Sequence, residues 1–392
     1  MFQNVDIFCV IIDNFGDIGV VYRFAKELKY YKPELNIRVF LDDLNVFKKL
    51  NPEINTEKDI QTINEITYIN SLKLTKEFME KISSSEIAIE TFGCEIPDIY
   101  FDYGNNKTKI VINLEYLSAE SWIEEYHCKS AYTSKNWVKK YYFMMGLDEK
   151  SGGFTIDESF LNKKQNYIEN KEEIINNFIN LSSNQFKYRK EFKYFTLFSY
   201  EYDFTNFVKD LGEMNYQSLV FVMSSKTIES INYLKENNLL NQISDNLLNY
   251  KNAYFITLPF LKQEDYDKIL SVCDCNIVRG EDSFTRAIMA SKPFLWHTYL
   301  QENGYQIVKV EAYLKFVEKF FENKNIFEIY KEIMYNTNRR FEDSYFVKKE
   351  FSYKRFFGLI DDMSDCFDKM SEYTIKKSNI VKKLLGFIDS LI

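Results

Sequence analysis

Apolar residues fall into two rhythms along this chain, and the alternation between them predicts its elements. Residues 5–12 form a nearly continuous apolar run, as a strand covered on both faces requires. Residues 16–30 change to helical spacing, with Val20, Val21, Phe24, Ala25 and Leu28 on one side. Short apolar runs at 36–41, 86–90 and 109–113 read as further strands. Strands separated by helical segments predict a parallel sheet with helices on both faces.

Residues 162–184 break the pattern. They are polar, rich in Asn, Lys and Glu, and read as a helical excursion leading into a linker. A second α/β series follows, with strands at 194–199, 218–223, 253–258, 275–278 and 293–296 and helices at 264–272 and 284–290. From about residue 306 the chain reads as mostly helical and ends in an amphipathic stretch at 380–392. No internal repeat is visible. Two α/β halves predict two doubly wound domains, 1–184 and 185–370, with a cleft between them and a terminal helix at 371–392. In such sheets ligands sit outside the carboxyl ends of the strands, so the loops after the strands are the ones to search.

Composition narrows the function. The net charge is −8 and no segment gathers enough Lys and Arg for a nucleic-acid footprint. Six cysteines lie mostly in apolar runs without a CxxC pair, and the two histidines, His127 and His297, are isolated, so no structural zinc site is predicted. Buried thiols in a reducing cytoplasm account for the cysteines. The first residues lack a basic leader, and no segment approaches the roughly 20 apolar residues of a membrane helix. A soluble cytoplasmic enzyme, with neither nucleic acid nor membrane as partner, is expected. With 35 Phe and 29 Tyr, aromatic rings must fill much of the core, and they also make stacking platforms.

Two strand-to-helix loops carry candidate chemistry. The first is Asp13-Asn14-Phe15-Gly16-Asp17-Ile18-Gly19. Its glycines allow a tight turn and close ligand approach, and it leads into a helix N-terminus that favours negative charge. Asp17 and Asp13 are either working carboxylates or a helix cap and a strand end. The loop is not the GxGxxG fingerprint of dinucleotide binding. The second loop is Arg279-Gly280-Glu281-Asp282-Ser283. Arg279 offers a fork of donors to phosphate oxygens, and Gly280 and Ser283 suit a pyrophosphate at a helix start. Glu281 would meet an acceptor or a sugar, while Asp282 or Ser283 would cap the helix in the plainer reading.

Phe198 and Tyr200 share one face of a strand end, as stacking platform or as core. Gln263 either reads a base edge or caps its helix. Glu90, Glu115 and Glu120 follow first-half strands and either hold a cationic acceptor or have solvated or capping roles. His297, with no evident Ser or Cys partner in sequence, reads as structural.

Several segments together resemble the EarP-type arginine rhamnosyltransferases: DNFGDIGVVYRFA (13–25), ETFGCEIP (90–97), NLEYLSAESW (113–122), EKSGG (149–153), LPFLKQEDYD (258–267), VRGEDSFTRA (278–287) and KPFLWHTYLQ (292–301). The chain departs from the family pattern at Tyr22, Lys262 and Met145-Gly146-Leu147, none of them a proposed catalytic carboxylate. The resemblance implies a GT-B architecture of two facing Rossmann-like domains with a helical C-terminal tail, in which a tail packing back on the first domain is common. It implies transfer of L-rhamnose from dTDP-β-L-rhamnose, a co-substrate, to an arginine of translation elongation factor P with inversion, without metal or cofactor. On this resemblance Asp17 is the general base and Asp13 and Glu281 are the other acidic residues of the reaction. Asn14, Phe15, Gly16, Phe198, Tyr200, Gln263, Arg279, Gly280, Asp282 and Ser283 fall on donor-binding motifs. A GT-B transferase with another donor or acceptor, and a non-catalytic nucleotide-sugar-binding module, are the alternatives.

Overall fold

The structure, a computed structural model, describes residues 2–12, 15–105, 107–183, 185–301, 304–339 and 351–391. Asp13 and Asn14 lie outside the described residues. The chain divides into two compact units, Met1–Glu158 with Thr374–Ile392, and Ser159–Tyr373.

The first unit holds strands β1 Asn4–Cys9, β2 Asn36–Leu41, β3 Ile60–Ile63, β4 Ile66–Asn70, β5 Ile87–Thr91, β6 Ile110–Glu115, β7 Ser130–Ala131 and β8 Lys139–Met144. Their order is β3-β4-β2-β1-β5-β6-β8-β7, parallel except for the two edge strands β3 and β7. From β1 the chain runs out to β2 and β4, then returns to β5 on the other flank of β1. The strand order therefore reverses at β1 and β5, which opens a crevice at their carboxyl ends. Phe8 on β1 stacks on Phe40 of β2 at 4.4 Å and meets the edge of Tyr100 at 4.9 Å. The one carboxylate inside this strand, Asp6, is fully buried and fully engaged: Arg38 gives it two bonds of 2.6 Å and the Tyr100 hydroxyl donates a third.

The C-terminal helix Ile380–Leu391 packs in this unit against helix Phe15–Tyr31. The strand-like bridge Phe154–Asn379 and the bond from Ser378 Oγ to the Leu147 carbonyl (2.8 Å) seat its start on the EKSGG segment. Gly153, at φ 84°, makes this possible, because a Cβ there would lie 2.1 Å from the Ser378 carbonyl oxygen. The Lys383 ammonium then gathers the carbonyls of Asp148, Glu149 and Ser151.

The second unit holds β9 Lys193–Phe198, β10 Ser218–Met223, β11 Asn241–Ser244, β12 Leu247–Tyr250, β13 Ala253–Thr257, β14 Cys275–Arg279 and β15 Phe294–His297. Their order is β11-β12-β13-β10-β9-β14-β15, with β13 to β15 parallel and β12 and β11 folded back antiparallel. The reversal falls at β9 and β14. The polar stretch after residue 158 forms two helices, Glu158–Glu169 and Lys171–Asn180, and the second buries Ile175 and Ile179. The α/β expectation from apolar periodicity holds in both units.

Candidate active site

In the first unit the β1 loop reaches the crevice and turns into helix Phe15–Tyr31. Its consecutive amides are held by carboxylates: Ile11 N–H donates to Asp42 Oδ1 (3.0 Å) and Ile12 N–H to Asp17 Oδ2 (2.9 Å). Asp17 is the third helical residue and reaches back over the turn to an amide that precedes the helix, which places a 3%-exposed carboxylate at the crevice. Burial and then the charge of Asp17 push the thiol of neighbouring Cys9 up. Phe15 and Gly16 are half-buried at the helix start. The far end of this helix is fixed too, since Asn379 Nδ2 donates to the Tyr31 hydroxyl, and midway along it Arg23 lies 3.6 Å from Asp157.

Beside it, the β5 loop passes through two left-handed residues, Phe92 (φ 56°) and Gly93 (φ 73°). Such a conformation at a bulky aromatic is strained. It sets the Phe92 ring against exposed Tyr116, stacked at 4.9 Å. On the adjacent strand end Asn113 Nδ2 donates to Glu115 Oε1 (2.8 Å). Glu90, in register with Asn113, pairs with Lys140, yet burial outweighs that pairing and holds its carboxyl above the usual range. Glu120 Oε2 accepts from the Ser118 hydroxyl. The rim of this crevice is thus acidic.

The second unit presents the opposite charge. Arg279 ends β14, and its guanidinium carbon lies 4.8 Å from the Phe198 ring centre and 4.6 Å from that of Tyr200. These two aromatics, at the end of β9, carry the arginine across the strand-order reversal. Contact with the two rings leaves the N–H donors, which lie in the guanidinium plane, as its hydrogen-bonding groups. Gly280 opens the next helix, Gly280–Ala290, at φ 63°. Its carbonyl accepts from Trp296 Nε1 at 2.8 Å. The residue in the cap position is Arg279, which has no acceptor and makes no side-chain cap bond. Asp282 and Ser283 are the third and fourth residues of this helix, so neither holds its cap position. Glu281 Oε1 lies 3.4 Å from Lys309 Nζ, which balances its charge beside the helix start. Gln263 is the first residue of helix Gln263–Val272, behind Lys262 rather than capping it. Tyr266 on that helix meets Phe198 edge-on at 5.5 Å.

His297 pairs in register with Arg279, and its Nδ1 lies 2.5 Å from Ser199 Oγ. This partner was not visible in sequence, since the two segments meet only through β14, which pairs with both β9 and β15. Both residues are buried, and burial followed by the charge of Arg279 pushes the imidazole down to about 3. It supports Tyr200 as a neutral ring, edge-on at 5.6 Å. Among the described residues a second Ser/Cys–His pairing, Cys128 with His127 at 3.4 Å, is not an activated thiol. The Met144 N–H donates to His127 Nδ1, which puts the ring proton on Nε2, facing the sulfur. Burial pushes the Cys128 thiol up to about 11.

Two Rossmann-like units, each with a polar rim where its strand order reverses, define the GT-B class of glycosyltransferase folds. A solved structure described as the structural basis for EarP-mediated arginine glycosylation of translation elongation factor EF-P has the same fold, with a TM-score of 0.63 over 99% of both chains at 17% identity. A putative UDP-N-acetylglucosamine 2-epimerase from Listeria monocytogenes matches more loosely, with a TM-score of 0.51 at 8% identity over 100% of this chain and 97% of its own. The family described as Elongation-Factor P (EF-P) rhamnosyltransferase EarP matches residues 5–389, and the chain belongs to it. Its relatives include a protein-arginine rhamnosyltransferase of Shewanella oneidensis, 30% identical over 323 residues, 79% of this chain and 80% of the relative. Another, from Pseudomonas aeruginosa, is 29% identical over 318 residues, 79% and 80% of the two chains.

Proposed function

We propose that this rhamnosyltransferase moves L-rhamnose from dTDP-β-L-rhamnose to one arginine side chain of translation elongation factor P, with inversion at the anomeric carbon. One observation carries this reading: the two units carry opposite charges where their strand orders reverse, Asp17 and its acidic neighbours in one, and Arg279 on its aromatic cradle in the other. A cationic acceptor and an anionic leaving group call for that division.

Arginine is a weak nucleophile because its guanidinium keeps its proton, with a pKa above about 12. An adjacent carboxylate favours the charged form further, so deprotonation accompanies attack. In the proposed step a guanidinium nitrogen forms the bond to the sugar C1 while the C1–O bond to the diphosphate breaks. The departing dTDP takes that electron pair, and Asp17 accepts one N–H proton. The glycosylated guanidinium stays cationic. Arg279 and the amides of the first turn of helix Gly280–Ala290 receive the charge that develops on the diphosphate. Asp13, Asn14, Phe15, Gly16, Gly280, Glu281, Asp282 and Ser283 complete the site, with Gln263 and the Phe198 and Tyr200 rings on the nucleotide side. Asn113 and Glu115, beside the ring of Tyr116, suit a guanidinium arriving at the first rim.

The test is intact-mass and peptide mapping of elongation factor P incubated with the purified protein and a panel of nucleotide sugars. Gain of one deoxyhexose on a single arginine, with dTDP-β-L-rhamnose only and α-linked by NMR, is expected. Transfer from another donor, or no transfer, overturns the reading.

A further inference from the structure

Helix Gln263–Val272 and helix Gly280–Ala290 are both headed by a cation, unlike the other helices whose cap residue is described. Asp43, Thr75, Ser224 and Asn323 cap their helices through side-chain oxygens. Here the cap positions belong to Lys262 and Arg279, two cations without an acceptor and without a side-chain cap bond. Each therefore adds its charge to the partial positive charge of a helix start. Both first turns also carry acids, Glu264 and Asp265 in one and Glu281 and Asp282 in the other, so how the two ends meet a ligand depends on a brace between the helices.

That brace lies further along the same two helices. Arg286 Nε and Nη2 bond to Asp267 Oδ1 and Oδ2, both at 2.8 Å. The side chains are 1% and 5% exposed. The Phe160 ring lies 4.6 Å from the guanidinium carbon and Met289 Sδ 3.9 Å from Nη1. A buried ion pair is a poor source of stability, because desolvating two charges offsets much of their attraction, and well-packed apolar residues often do as well. Its two-pronged geometry, however, fixes both the distance and the rotation of one helix against the other. Tyr266, next to Asp267, carries the consequence to the ring of Phe198, on which Arg279 rests.

We infer that Arg286 and Asp267 are positioning residues for the donor. Their fork sets the spacing of two cation-headed helix starts so that Gln263 and the Arg279–Ser283 turn engage one nucleoside diphosphate together. The inference rests on the proposed donor site and adds the device that shapes it.

The test compares the full-length protein with Arg286→Met, Asp267→Leu, the double variant of both, Arg286→Lys, and Arg279→Ala. The readouts are Tm, calorimetric affinity for dTDP, and KM against kcat with dTDP-β-L-rhamnose. Each single apolar variant strands a buried charge and lowers Tm. The double variant regains a wild-type Tm, yet its dTDP Kd and donor KM remain about tenfold weaker while kcat changes much less. Arg286→Lys keeps the charge without the fork and is also weaker for dTDP. A folded double variant with wild-type dTDP affinity overturns the inference, and if the double variant does not fold, Arg286→Lys with wild-type affinity does so. Arg279→Ala separates the two levels. Should it leave dTDP binding unchanged, the donor site itself is misassigned. Should it weaken binding while the double variant does not, only the positioning role fails.

Discussion

The two units are built on one plan and finished with opposite chemistry. In each, a central parallel strand, β1 or β9, sends the chain outward on one flank and receives it back on the other. In the first unit the loops at the reversal carry Asp17, and the neighbouring strand ends carry Glu90, Asn113 and Glu115. In the second they carry Arg279 on two aromatic rings, with Lys262 heading the preceding helix. The scaffold supplies the same crevice twice, and a few residues at strand ends decide which charge it receives. The difference fits a reaction whose acceptor is a cation and whose leaving group is an anion.

Removing the negative side should cost most. Asp17→Asn keeps an acceptor for the Ile12 amide and loses the proton acceptor. We expect turnover to fall by about 10²–10⁴-fold, the usual range for a general base, with dTDP affinity nearly unchanged by calorimetry. Near-normal turnover would remove Asp17 from this role. Removing the positive side should act on the other quantity. Arg279→Ala should weaken dTDP by about 10–100-fold, as expected for losing a charge-assisted hydrogen bond of about 1.5–3 kcal/mol. If the same variant instead left binding intact and stopped only the transfer step, the division of labour between the units would be wrong.

How much of this could be read from sequence followed from how local each signal was. Strands buried on both faces announced themselves: the expected 36–41 and 218–223 are β2 Asn36–Leu41 and β10 Ser218–Met223. Half-exposed strands did not. The β3–β4 hairpin alternates properly but turns on Asn64-Glu65, at φ 49° and 63°, without the glycine that usually marks such a turn. Strand β8 opens with two lysines and hides its apolar half. The candidate loops were legible because glycine, acid and arginine sit together between a strand and a helix. Their supports were not, because they come from distant parts of the chain: Asp42 behind Ile11, Ser199 behind His297, and Trp296 on the Gly280 carbonyl.

The two histidines sharpen the contrast by titration. Burial, with Lys383 beside His127 and Arg279 beside His297, pushes them down to about 4 and about 3. Unfolded, both titrate near 6.5. Between those values the unfolded chain binds more protons than the folded one, so stability is full above about pH 6.5 and falls as pH drops. For fully buried His297 the loss between pH 7 and pH 5 is about 2 kcal/mol, by linkage from these pKa values. It is smaller for half-buried His127, which water reaches. His297→Asn retains a partner for Ser199 and removes the titration, so its urea midpoint should fall less than that of the wild type over the same pH range. His127→Asn should flatten the curve less. Equal falls in His297→Asn and wild type would show that the imidazole does not stay neutral beside Arg279.

The smallest effect should come from one methyl group at the head of the donor helix. Gly280 has φ 63°, and a Cβ there would come no nearer than 3.4 Å to any neighbour, the Tyr200 hydroxyl. Steric blockage is therefore minor, and the left-handed backbone is what remains against Gly280→Ala, roughly 1 kcal/mol. The turn can relieve that strain by rotating out of the left-handed region. The Trp296 bond to the Gly280 carbonyl opposes this, so the helix start settles between the two demands. Binding the diphosphate must then restore the original turn, and the same 1 kcal/mol appears as about a fivefold loss of dTDP affinity. Tm should shift by only a few degrees, about 2–4 °C per kcal/mol for a unit of this size, and turnover at saturating donor should stay near normal. A loss as large as that of Arg279→Ala would mean that Gly280 is packed against the ligand itself, with its missing side chain as part of the donor's shape.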